Sequence, residues 1–120
     1  MEHIQKEGFH SQLRKKADDY VRSIYKLTRS FPKEELYGIT SQVRRAALSV
    51  ALNLIEGYGR GSKTKSFKNF LHIAYGSLKE SQYLLDFSFQ EKFLEEHWYK
   101  STARVGDEIG AMLWGIIQKL

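Results

Sequence analysis

Residues 56–67 read EGYGRGSKTKSF, and within them GYGRGSKT differs at one position from GxxxxGK[ST], the loop whose backbone N–H groups converge on nucleotide phosphates. Ser62 stands where the second glycine is required. The apolar spacing ahead of the stretch is helical, whereas a phosphate loop follows a strand. The stretch therefore reads as a connector in which Gly57, Gly59 and Gly61 end one helix and Ser62 or Thr64 caps the next. A di-metal centre in a helical bundle needs two Glu-x-x-His pairs on facing helices. One such spacing occurs, Glu7 to His10, ahead of the first helical pattern, and His3, His72 and His97 have no glutamate three residues before them. With no cysteine, thiolate metal sites, cysteine nucleophiles and disulfides are excluded together. No GxSxG motif marks a serine nucleophile. The residues predict no catalytic group, no metal and no cofactor.

Three polar residues lie in otherwise apolar surroundings. Asn53 and Glu56 fall in the apolar half of one helical segment, and Glu80 falls on the next, close to Gly76 and Ser77. They could form a functional cleft, but the favoured expectation is a structural hydrogen-bond network that fixes helix register. Charge is distributed unevenly. Residues 1–79 hold 15 Lys and Arg against 7 Asp and Glu, a balance of +8, whereas residues 80–120 hold 4 against 7, a balance of −3. Arg44, Arg45, Arg60, Lys63, Lys65 and Lys68 lie in a stretch with one acid, Glu56. A cluster of this kind can track a phosphate backbone, and the competing reading is a solvated basic face. No recognition-helix motif accompanies it, so binding would be weakly sequence-specific.

The elements that must position these residues are helical. Leu13, Ala17, Val21, Ile24, Leu27 and Phe31 step by three or four, predicting a helix over about residues 11–30, and residues 1–10 read as a short tail. Pro32 and Gly38 interrupt the pattern, and Thr40 or Ser41 can cap a second helix over about 40–57. Its inward stripe is Ile39, Val43, Ala46, Ala47, Val50 and Leu54. Leu48, Leu52 and Ile55 form a second apolar surface that one bundle core cannot use, predicting a subunit interface. A third helix is expected over about 64–87, with Phe67, Leu71, Ala74, Leu78 and Leu85 inward. A connector near 88–92 leads to a fourth over about 94–119, with Trp98, Thr102, Val105, Ile109, Met112, Leu113 and Ile116 on one face. The prediction is a single all-α domain over 1–120, an antiparallel up-down-up-down four-helix bundle. With no apolar run long enough for a membrane span and no secretory signal pattern, a soluble cytoplasmic protein is expected.

The blocks FPKEELYGITSQVRRAALSV, NLIEGYGRGS, FKNFLHIAYGSLKESQYLL and GAMLWGIIQKL closely resemble successive blocks of the bacterial four-helix-bundle family named for proteins encoded in intervening sequences of 23S rRNA genes. The resemblance runs from about Leu13 through nearly the whole chain. Where the family pattern is SIPANIAEG this chain has SVALNLIEG, so Asn53, Glu56 and Gly57 match and Ala51 replaces the usual proline. Ser66 after Lys65 stands where the family often has an acid, which makes the turn more basic. The resemblance implies relationship to the accessory proteins of diversity-generating retroelements, which look like basic homopentameric barrels that bind nucleic acid and a reverse transcriptase. The expected function is a non-enzymatic homo-oligomer, a pentamer by that resemblance, binding RNA or DNA through a basic surface and scaffolding a protein partner. The alternative is an interaction module whose partner is only protein.

Overall fold

The computed structural model describes residues 2–120, with side chains from Gly8 onward. Four helices account for most of it: α1 at Glu2–Thr28, α2 at Ser41–Arg60, α3 at Lys65–Gln90 and α4 at Glu96–Lys119. Short connectors leave each helix no choice but to return along its predecessor, giving the up-down-up-down bundle. α2 packs most extensively on α3, while α1 and α4 close the ring of contacts by touching each other as well as α2 and α3 respectively. The body measures 47 × 25 × 20 Å.

The apolar stripes meet in one cluster running through all four helices, from Leu13, Ala17 and Ile24 through Val43, Val50 and Leu54 to Phe67, Leu71, Leu78, Ile109 and Leu113. Leu27, Phe31, Leu85 and Leu94 fill the end of the bundle where α1 stops and α4 starts. Tyr20 is fully buried, and its hydroxyl meets Ser81 Oγ at 2.8 Å while Ser81 also donates to the Leu78 carbonyl at 2.7 Å. That pairing satisfies two hydroxyls that burial would otherwise destabilise. Burial is also the main reason the Tyr20 phenol is pushed up to about 12.

Element boundaries differ from the sequence expectation in physically explicable ways. α1 begins at Glu2 rather than near residue 11, because EHIQKEGFH contains one weak breaker, Gly8, and its end is tied down. The His10 ring packs edge-on against Phe9 at 5.7 Å and against Tyr58 of α2 at 5.2 Å. The remainder of the expected tail, Met1, lies outside the described residues. α2 continues past Gly57 and Gly59 to Arg60, so Gly61 alone ends it, with φ at +101°. Ala51, with the N–H that proline lacks, sits mid-way in this unbroken helix.

α3 runs on to Gln90 and closes with paired backbone bonds, Phe93 N–H to the Ser88 carbonyl and Lys92 N–H to the Phe89 carbonyl, both 2.9 Å. This is the bond pattern that normally carries glycine at the left-handed position. Lys92 occupies it at φ 65°. Lys92→Gly should therefore raise the unfolding free energy by about 0.5–1 kcal/mol, checked by chemical denaturation. An equal or lower stability would contradict this account of the turn.

Candidate nucleic-acid interface

The basic turn between α2 and α3 is built on a close helix approach. A Cβ at Gly57 would lie 3.1 Å from Phe70 Cβ and 3.5 Å from Phe67 Cδ1, so glycine lets α3 start directly against the end of α2. Phe67 is buried beneath the turn with its ring 5.1 Å from that of Tyr58. Gly61 then reverses the chain, its N–H bonded to the Tyr58 carbonyl and its own carbonyl accepting from the Thr64 N–H, both at 3.1 Å. Thr64 precedes the first residue of α3 in an extended conformation, yet its hydroxyl turns back to the Gly61 carbonyl at 2.8 Å and makes no cap bond to the helix. The start of α3 thus combines uncapped backbone donors with the positive end of the helix dipole.

Lys63, Lys65 and Lys68 are exposed around this start, and among the described residues none of them makes an ion pair. Arg60 joins them, its guanidinium 5.3 Å from the Phe70 ring centre. Arg14 comes from α1, with its guanidinium 4.5 Å over the Tyr58 ring. Sequence reasoning missed Arg14. Nothing local signals a partner 44 residues away; only the packing of α1 on α2 brings it here. Burial outweighs the nearby Arg14 charge and pushes the Tyr58 phenol up to about 12, so Tyr58 faces the cluster as a neutral group that also bonds His10 Nδ1. Four cations on three helices, Arg14, Arg60, Lys65 and Lys68, and Lys63 of the turn therefore lie on the segments that meet where α3 starts. Phosphate oxygens suit such a place because both the amides and the side chains favour negative charge.

Arg44 and Arg45 do not belong to this cluster. Fifteen residues of α2 separate Arg45 from Arg60, about 22 Å along the axis. Arg44 is half-buried and donates to Thr28 Oγ1 at 2.8 Å and to the Tyr25 carbonyl at 3.3 Å, with its guanidinium 4.8 Å over Tyr25. It ties the end of α1 to α2. Arg45 is exposed beside a shallow polar concavity shared with Gln42, Ser49, Ser77 and Glu80. The six basic residues expected as one surface are therefore divided between two ends of α2.

The expected polar network also needs correction. Asn53 does cross-link structure: its Nδ2 donates to the Ser49 carbonyl at 2.8 Å and to Ser49 Oγ at 3.0 Å, and Ser49 Oγ meets Ser77 Oγ of α3 at 2.8 Å. Glu56 and Glu80 lie outside it, both exposed. Glu56 Oε1 accepts from Arg60 at 3.3 Å one helical turn on, a surface pair. Helical rotation explains the miss at Glu56, which follows buried Leu54 by two positions and so points to the opposite side of α2. Glu56→Ala is accordingly expected to lower stability by less than about 0.5 kcal/mol. A loss of several kcal/mol on denaturation would mean that Glu56 holds a buried partner.

Leu48, Leu52 and Ile55 stand on the outer side of α2 and are 38, 53 and 62% exposed. Ile73, Tyr83 and Phe87 are exposed on α3. Among the described residues no three His, Cys, Asp or Glu side chains gather as metal ligands, and no helix is long and apolar enough to cross a membrane. Glu7, half of the Glu-x-x-His spacing, has its side chain outside the described residues.

Against known families, residues 10–115 match the 23S rRNA-intervening sequence protein. The chain belongs to that family. A solved protein of unknown function from the S23 ribosomal protein family, from Bacteroides thetaiotaomicron VPI-5482, superposes with a TM-score of 0.81 at 21% identity, covering 92% of this chain and 98% of its own. That likeness concerns the fold. No curated protein matches the chain. Within the 23S rRNA-intervening sequence protein fold, the Arg14, Arg60, Lys63, Lys65 and Lys68 cluster is the feature of this chain best suited to a polyanion.

Proposed function

We propose that the protein is a non-enzymatic homo-oligomer that binds RNA or DNA through the basic end of its bundle and holds a protein partner, acting in the cytoplasm. The observation carrying this reading is the gathering of Lys63, Lys65 and Lys68, free of ion pairs among the described residues, with Arg60 and Arg14 at the uncapped start of α3. Phosphate contacts of this kind supply affinity without base readout, so recognition is of backbone charge and not of sequence. The exposed stripe of Leu48, Leu52 and Ile55 supports self-association, because three large aliphatic side chains in line on one helix face favour burial against a second surface. A ring of subunits, five by the family resemblance, repeats the basic end around an axis, and one long nucleic acid then engages several weak sites together.

Two measurements test this. Light scattering at micromolar concentration should give a multiple of the 14.0 kDa chain mass, and the 14.0 kDa monomer alone would contradict the oligomer. Anisotropy with labelled strands of increasing length should show affinity rising with length. Equal affinity for short and long strands would remove the multivalent part of the reading.

A further inference from the structure

At the opposite end of the bundle, the connection from α1 to α2 presents two apolar side chains to solvent. Tyr37 is 93% exposed and Leu36 is 47% exposed, on a one-turn helix at Leu36–Thr40 whose backbone breaks from helical geometry at Gly38. Among the described residues neither belongs to the buried core. At the same end, the last two turns of α1 and the start of α4 border a concavity of about 660 Å³, with Leu27, Phe93 and Leu94 among its apolar lining, Trp98 at its side and Lys26 5.6 Å over the Trp98 ring. Its size falls within the roughly 300–1,000 Å³ of clefts that take small ligands, and so has room for one aromatic side chain.

The geometry points to the Leu36–Tyr37 turn of one copy docking into the Lys26–Trp98 groove of the next copy, the groove's occupant being a second molecule of this chain. This rests on the self-association reading above and adds to its Leu48, Leu52 and Ile55 surface a second contact at the end of the bundle. Charge selects this occupant. Glu34 and Glu35 outnumber Lys33 beside the projecting pair, whereas Lys26 and Lys92 outnumber Glu95 around the groove. An apolar tip edged with negative charge thus meets an apolar groove edged with positive charge. Tyrosine and tryptophan are also the side chains that most often anchor interfaces. Tip and groove are different surfaces, so the contact is head-to-tail. Both lie at the end of the bundle where α1 finishes, so a rotation about an axis parallel to the bundle can join them without a shift along it. Such a rotation closes a ring when its angle divides a full turn.

The cysteine-free chain permits a direct test. Protein carrying Tyr37→Cys is mixed with protein carrying Ser101→Cys, a groove residue, under mild oxidation, and the dissociation of the otherwise unchanged protein and of a Leu36→Ser/Tyr37→Ser variant is followed by light scattering on dilution. The expected result is a disulfide-linked dimer from the mixture, weaker cross-linking from either variant alone, and a dissociation midpoint at least about tenfold higher for the double serine variant, consistent with loss of an aromatic anchor. Helical circular dichroism of that variant should equal the parent's, since both replaced side chains face solvent. An oligomeric parent whose double serine variant dissociates at the same concentration, with no mixed cross-link, overturns the tip-in-groove contact and leaves self-association standing. A parent that is monomeric at every concentration overturns both.

Discussion

Replacing Lys63, Lys65 and Lys68 together by glutamine is expected, for each subunit that an RNA or DNA strand engages, to weaken binding by about 10²–10³-fold at ~50 mM salt and to lower the log–log salt slope by about 2–3. Each neutralised phosphate contributes roughly 0.7–0.9 to that slope. Extrapolated from ~1 M salt, where the electrostatic contribution vanishes, to ~50 mM, this amounts to about tenfold per contact. The three side chains are exposed and surround a turn that is held by the Gly61 reversal and the Phe67 wedge, neither of which depends on a lysine. Oligomer size and denaturation midpoint should therefore be unchanged, separating loss of charge from loss of fold. A triple variant that binds as tightly as the parent, with the same slope, would place nucleic-acid binding elsewhere. The polar concavity beside Arg45 would then be the next surface to examine.

The largest effect on stability is expected from Phe67→Ala. Phe67 is 1% exposed, packs against Tyr58 and approaches the Gly57 contact, so truncation removes apolar burial and leaves a cavity where Gly57 of α2 meets Phe67 and Phe70 of α3. Phenylalanine truncations of this kind cost about 3–5 kcal/mol, a large share of the roughly 5–15 kcal/mol that holds a domain folded. With a urea dependence of about 1–3 kcal/mol per M, the midpoint should fall by at least about 1 M. The same change should loosen the basic turn and weaken nucleic-acid binding in conditions where the variant stays folded. An unaltered midpoint would show that the turn is supported from elsewhere.

Helix count and inward faces were legible because each stripe repeats over several turns. Leu13 through Leu27 on α1, Phe31 just past its end, and Phe67 through Leu85 on α3 are buried as their spacing requires. Tyr20 was passed over, although it falls three residues after Ala17 on the same stripe; its hydroxyl disguises a core residue whose polar atom is met by Ser81. Trp98 shows the opposite error: helical spacing put it on the inward face of α4, but it stands 45% exposed at the edge of the groove between α1 and α4. Helix ends were the least legible, since Gly57 and Gly59 resemble terminators by type and are tolerated within α2 by packing and by helix continuation.

For the site, a local run of charge was enough to pick out Arg60, Lys63, Lys65 and Lys68, because they straddle a single turn. It misled at Arg44, whose partners on α1 are 16 and 19 residues distant in sequence. Arg14 was invisible for the same reason. The Asn53 cross-link was visible only in part, as Ser49 and Ser77 carry no sequence signal that they face one another across two helices.

The central claim is that this bundle recognises phosphate backbone through charge. The measurement that tests it most directly is the affinity of the unaltered protein for two labelled strands of equal length and unrelated sequence, titrated from about 50 to 200 mM salt. The account predicts near-equal affinities for the two strands, both falling steeply with salt along parallel log–log lines. Absence of binding to either strand at ~50 mM salt, or affinity that is insensitive to salt, would contradict it and leave an interaction module that binds only protein.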